Sequence, residues 1–277
     1  MNDNIQNRQG DAALCGISGF VLKMIAVVTM LIDHTAATIL ERALLGELTI
    51  GCMTEQNMQM WTGVYYLMRI IGRMAFPIYC FLLVEGFTYT RNRGKYALRL
   101  FLFALISEVP FDLAFQKKWW DTSYNNVFFT LLLGLLAIMA LDWVRRKWKK
   151  VDESASKRYW FFSNLAKSIV LATITLGTMA IADLVLHTDY GASGVAAIIV
   201  MYLLYKNRML AFGIMVLVLT LLSSSLEIFA LFMLIPLHFY NGTRGKQVKY
   251  AFYAFYPVHL LVLVGICYLI KGVFIAL

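Results

Sequence analysis

The feature that most constrains this chain is the recurrence, along its whole length, of apolar stretches about as long as a bilayer is thick. A helix needs roughly 17–25 residues to cross the hydrocarbon. Stretches of that length, or a little shorter, fall at about 20–40, 62–84, 96–115, 126–143, 162–183, 191–205, 209–223, 226–240 and 250–270. With 60% hydrophobic and 15% charged residues, 277 residues carry more apolar surface than one soluble core hides. The expected fold is therefore all-α: a polytopic integral membrane helical bundle of about nine transmembrane helices. A tail at 1–19 precedes a single transmembrane domain at 20–277. Residues 1–12 are polar and lack a basic region leading into a cleavage site, so no cleavable signal peptide is expected.

The net charge of +9 raises the question of nucleic acid, but the placement of the basic residues argues for a membrane instead. Of the 25 Lys and Arg, 18 fall in the N-terminal segment and in alternate turns. These include Arg8 and Lys23, the group Arg91, Arg93, Lys95 and Arg99, the run from Arg145 to Arg158, Lys206 with Arg208, and Arg244, Lys246 and Lys249. The opposite turns carry Arg42, Lys117, Lys118 and Lys271 beside Glu41, Glu47, Glu55, Asp121 and Asp189. The positive-inside rule then puts the N-terminus in the cytoplasm and the C-terminus outside, which requires an odd number of spans. Cys15, Cys52, Cys80 and Cys267 have no paired spacing and read as packing residues, not as metal ligands or disulfides.

Ionisable residues inside spans are costly and mark function by default. In VVTMLIDHTA the first span holds Asp33 and His34. Lys23 and His34 lie three helical turns apart on one face, about 16 Å along the axis, while Asp33 points about 100° away. LMRIIGRMAFP carries Arg69 and Arg73 one turn apart, with Gly72 allowing close helix approach and Pro77 expected to kink the helix. SEVPFD carries Glu108 and Asp112 at the same spacing. A buried ion pair between Arg69 and Glu108 is expected, which leaves Arg73 to face a ligand. FYAFYPVHLL places His259 near mid-span after Pro257. The turn YNGTRGK, with Arg244, is of a type whose backbone N–H groups receive phosphate, although an ordinary surface turn looks the same. Lys167 lies where it can snorkel. The segment WWDTSYNN reads as an interfacial aromatic belt rather than an acceptor lip. His34 and His259, together with the buried arginines, favour a reaction centre or a proton path.

Several motifs in order, KMIAVVTMLIDH, RIIGRMAFPIYCFLLVEGF, KYALRLFLFALISEVPFDLAF, NNVFFTLLLGL, YNGTRG and FYAFYPVHL, resemble those of the TraX family, which is associated with N-terminal acetylation of F pilin. The resemblance covers most of 20–265. The first span is similar to that of the wider transmembrane acyltransferase superfamily, where a basic residue precedes a catalytic histidine at an interval like that from Lys23 to His34. The resemblance implies transfer of an acetyl group from cytoplasmic acetyl-CoA, as co-substrate, to an amine or hydroxyl acceptor outside, in the bacterial inner membrane. It does not specify a pilin as acceptor.

That chemistry suits the residues. Lys23, Arg91, Arg93, Arg99 and Arg244 are available at the inner face for a polyanionic donor, with Arg73 deeper. His34 is expected to act as general base or nucleophile, with Asp33 orienting it. Arg73, Asn125, Asn126 or His259 is available for the developing oxyanion. The expected partners are lipid, acyl-CoA and an unidentified outer acceptor, with no nucleic acid; oligomeric state and acyl length are not written in any motif. A proton-coupled transporter, or a non-catalytic assembly factor of a conjugation or secretion apparatus, uses the same intramembrane vocabulary.

Overall fold

The computed structural model describes residues 16–51, 53–154, 157–246 and 248–275. Arg8, Cys15 and Cys52, and most of the expected tail, lie outside the described residues. The helices are α1 (Gly19–Leu44), α2 (Met58–Gly72), α3 (Ala75–Tyr89), α4 (Arg93–Phe111), α5 (Val127–Ser154), α6 (Lys157–Ala180), α7 (Gly191–Leu203), α8 (Arg208–Leu222), α9 (Leu234–His238) and α10 (Lys249–Ile275). A tight 3-10 segment, Ser225–Met233, leads into α9. Among the described residues there is no β-strand, and two isolated bridges tie loops together.

Five stretches are long and apolar enough to cross a membrane: Gly19–Leu44, Glu55–Tyr89, Val127–Lys149, Ser163–Val185 and Tyr250–Lys271. The remaining expected spans correspond to α4, which carries Arg93, Lys95, Arg99 and Glu108, and to the shorter α7, α8 and Ser225–His238. The short α7 sits at the centre, packed by α3, α5, α6 and α8, with Val195, Ile198, Ile199 and Met201 buried. A helix surrounded by protein need not meet lipid over the full bilayer thickness. By contrast the span Ser163–Val185 is the least enclosed of the five, and it presents Ile169, Leu176 and Leu184 outward, as a lipid-facing helix does.

Local sequence explains the breaks. Asn92 and Asn207 start α4 and α8 by accepting from the backbone N–H of Lys95 and Leu210 at 2.9 and 3.2 Å. The expected continuous helix at 62–84 is broken at Arg73–Met74, and Pro77 sits in the first turn of α3 rather than at a mid-helix kink. A first-turn proline forfeits no intrahelical bond, because those N–H groups lack partners anyway. One end of the molecule is closed by segment 17–19 pairing with 239–243, through Ile17 N–H to the Phe239 carbonyl and Gly19 N–H to the Thr243 carbonyl. At the other end Asn125 pairs with the backbone of His187 and Asp189.

Candidate active site

His34 lies near the end of the regular part of α1, immediately before a π-helical turn, Ala36–Leu40. Such turns widen the helix and leave its carbonyls poorly served, and they recur at functional sites. Thr38 answers part of that need by donating its hydroxyl to the His34 carbonyl at 2.6 Å. The His34 ring is thereby held beside α10. Its Nδ1 lies 2.6 Å from Nε2 of His259, with the two rings within 9° of parallel.

The protonation pattern follows from the far side of His259. Its Nδ1 is 2.7 Å from the Phe255 carbonyl, which can only accept, so a neutral His259 carries its proton there. Nε2 of His259 is then an acceptor, and Nδ1–H of His34 donates to it. The Nε2 atom of a neutral His34 is left with a free lone pair. This is the tautomer that a general base or a nucleophile requires. Phe115 and Tyr256 pack edge-on against the His34 ring, with centroids at 5.4 and 5.8 Å.

Asp33 turns away from this pair. Arg69 Nη1 lies 2.9 Å from its Oδ2, and Arg73 Nη2 lies 3.2 Å from both of its oxygens. Arg73 Nη1 reaches Glu227 Oε1 at 3.2 Å. The close approach of α1 and α2 depends on Gly72, where a Cβ would stand 2.2 Å from the Asp33 side chain. Two sequence expectations are corrected here. Arg69 pairs with Asp33 and not with Glu108, because Glu108 lies against the start of α5, where it accepts from the Asn126 side chain and, at 3.4 Å, from its backbone N–H. Arg73 is not a spare cation, because Asp33 and Glu227 both claim it. Glu227 went unnoticed in the sequence. It is fully buried in the 3-10 segment, and only its isolation among apolar residues could have flagged it.

The asparagines are committed as well. Asn126 donates to the Ala104 carbonyl at 2.8 Å and caps α5 by accepting from Phe128 N–H at 3.0 Å, while Asn125 donates to the Leu186 carbonyl. Of the candidates named for oxyanion support, His259 is the one in contact with His34. Trp119 and Trp120 are strongly exposed.

A cavity of about 390 Å³ runs along α1 from Gly19 and Lys23 to Met30. Lys23, Arg99, Arg244 and Lys246 line it, along with Tyr89, Tyr96 and Tyr253. The turn YNGTRGK contributes Tyr240, Gly242 and Arg244, and it bends through left-handed backbone at Gly242 and Gly245, with φ of 77° and 65°. Three of the cofactor-binding residues expected from sequence are thus assembled around one cavity: Lys23, Arg99 and Arg244. Arg91 and Arg93 are not in its lining. Arg93 instead pairs with Asp142 at 2.5 Å and lies over the Phe87 ring, at 4.0 Å from its centroid.

Comparison with known proteins gives the family of the chain. The family model described as "TraX protein" matches residues 18–267. A probable fimbrial assembly protein FimC, serogroup H1, of Dichelobacter nodosus is 30% identical over 275 residues, covering 89% of this chain and 94% of that protein. No solved structure matches the chain. The match spans both histidines, the charge network and the whole basic cavity, and the chain belongs to the TraX family.

Proposed function

We propose that this protein is a membrane-embedded acetyltransferase that moves an acetyl group from cytoplasmic acetyl-CoA to an amine or hydroxyl on the outer side. The observation that carries the proposal is the juxtaposition of a polarised histidine pair with a cavity whose mouth is basic and whose deep end is apolar. The cavity's course from Gly19 to Met30 is about 16 Å of helix and ends one turn short of His34. A polyanionic head would sit among Lys23, Arg99, Arg244 and Lys246, and an extended arm would carry the thioester inward.

In the transfer, His34 Nε2 takes the proton from the acceptor nitrogen or oxygen as that atom attacks the thioester carbonyl. The C–S bond breaks, and the same proton passes to the leaving thiolate. His259, accepting from His34 Nδ1–H, holds the tautomer and steadies the imidazolium. The geometry suits direct transfer and an acetyl-His34 intermediate equally well.

In the same proposal the chain crosses the bacterial inner membrane nine times, with its N-terminus in the cytoplasm, and residues 20–277 act as one domain. The mouth gathers residues from the N-terminal segment, the start of α4 and the 240–246 turn, all on the expected cytoplasmic side. The name of the Dichelobacter relative favours a surface-appendage subunit as acceptor.

The test supplies labelled acetyl-CoA to the mouth side of vesicles and follows label on the far side. His34→Ala should lower transfer by about 10²–10⁴-fold while leaving the melting midpoint unchanged. Full retention of transfer would remove His34 from the chemistry. A second reading, a non-catalytic assembly factor, fits the relative's name, and it predicts that His34→Ala preserves assembly completely.

A further inference from the structure

The cavity and the histidine pair do not meet. Neither His34 nor His259 belongs to the cavity lining, which ends at Met30, Val127, Phe128, Leu131 and Tyr256. Tyr256 faces both compartments. Tyr256 lines the cavity, its ring lies 5.1 Å from Phe128, and it stands edge-on at 5.8 Å to His34 and 5.7 Å to His259. It is 4% exposed, so it is wedged and not free-standing. Met30, one turn before His34 on α1, is similarly enclosed.

We propose that Tyr256 is the partition between the donor cavity and the histidine pair, and so a positioning residue that sets which acyl groups reach His34 and keeps water from them. The inference rests on the acyltransferase reading of the cavity. A thioester at the cavity floor is one aromatic ring away from the His34 imidazole, and the Tyr256 ring must swing aside for transfer. The gap left beside Met30 and Phe128 when the ring moves admits only a short acyl group. While the ring is in place, water in the open cavity cannot be deprotonated by His34. The side reaction that this suppresses is hydrolysis: water's oxygen bonds to the acyl carbon, the C–S bond breaks, and acetate and the free thiol leave.

The test has two arms in purified, folded protein. In the first, acetyl-CoA hydrolysis is measured without acceptor, and butyryl- and hexanoyl-CoA are compared as donors. Tyr256→Ala should raise hydrolysis at least tenfold and admit the longer donors. Tyr256→Phe, which keeps the ring, should behave as wild type, and so should Leu221→Ala, on an exposed face outside the cavity lining.

The second arm needs no acyl donor. With the native cysteines replaced by alanine, His34→Cys is exposed to a membrane-impermeant methanethiosulfonate from the mouth side. Labelling should be slow with Tyr256 and at least tenfold faster with Tyr256→Ala. Equal labelling in both would overturn the partition. Unchanged hydrolysis and donor range in a Tyr256→Ala protein that binds acetyl-CoA would overturn it too. Failure of the wild type to bind acetyl-CoA would sink the acyltransferase reading, and the labelling arm would then decide the partition on its own.

Discussion

Asp33 and His34 are adjacent in the chain, yet they belong to regions that solve the problem of a polar group in a membrane in opposite ways. Asp33 enters a network of two acids and two guanidiniums whose formal charges cancel, with the second oxygen of Glu227 buried and without a hydrogen-bond partner. His34 enters a pair of imidazoles that needs no counter-charge and keeps one lone pair free. A buried charge network commits its charges to one another and serves the fold, whereas a neutral, polarised pair leaves reactivity in hand. The 100° step between consecutive helical residues allows one helix to face both regions.

The contrast breaks most severely at Arg73. Arg73→Ala leaves Asp33 and Glu227 short of counter-charge in the protein interior and should destabilise by about 3–5 kcal/mol, read as a lower melting midpoint in detergent. If Arg73→Ala melts like wild type and loses only transfer, the network is catalytic and the contrast is wrong. Next in size is His259. His259→Leu removes the acceptor for His34 Nδ1–H and should cost about tenfold to a hundredfold in transfer with little change in melting. His259→Gln, whose amide oxygen can accept the same proton, should recover part of that loss.

A smaller effect is expected at Gly72, where alanine forces α2 away from Asp33. The cost should be about 1–3 kcal/mol of stability, with transfer kinetics unchanged in the protein that remains folded.

The smallest effect lies outside the membrane. Asp121 is held below the usual carboxylate range by the Lys118 ammonium and by the hydroxyl and N–H of Ser123. Its depressed folded-state value means that its contribution is complete at neutral pH and is lost only as pH falls below about 4. Asp121→Asn should therefore flatten the acid limb of a melting-against-pH curve slightly and leave the neutral region alone.

Much of the site was legible because hydrocarbon penalises polar residues so strongly that each one in a span stands out. The Lys23–His34 spacing and His259 came from that signal, whereas Arg99 and Arg244 came from the clustering of basic residues in the inner-face turns. Pairing was less legible. Periodicity gives the face and depth of a residue on its own helix but not the rotation of the neighbouring helix, so Arg69 was matched to Glu108 at similar depth instead of to Asp33. Glu227 was missed because its 3-10 segment has no helical face to read. The helix break at Arg73–Met74 was misplaced at Pro77, since a proline reads as a kink unless it is seen to occupy a first turn. The short central α7 is apolar on every side because protein surrounds it, a pattern that sequence alone cannot tell from a lipid-facing span.

The central claim is that the basic cavity holds the acyl donor. Its most direct test is calorimetric titration of acetyl-CoA into the purified protein, comparing wild type with Arg99→Glu, Arg244→Glu and Arg91→Glu. The account predicts saturable binding that weakens at least tenfold on reversal at Arg99 or Arg244, which line the cavity, and little on reversal at Arg91, which does not. No binding by well-folded protein, or equal weakening by all three reversals, would contradict it.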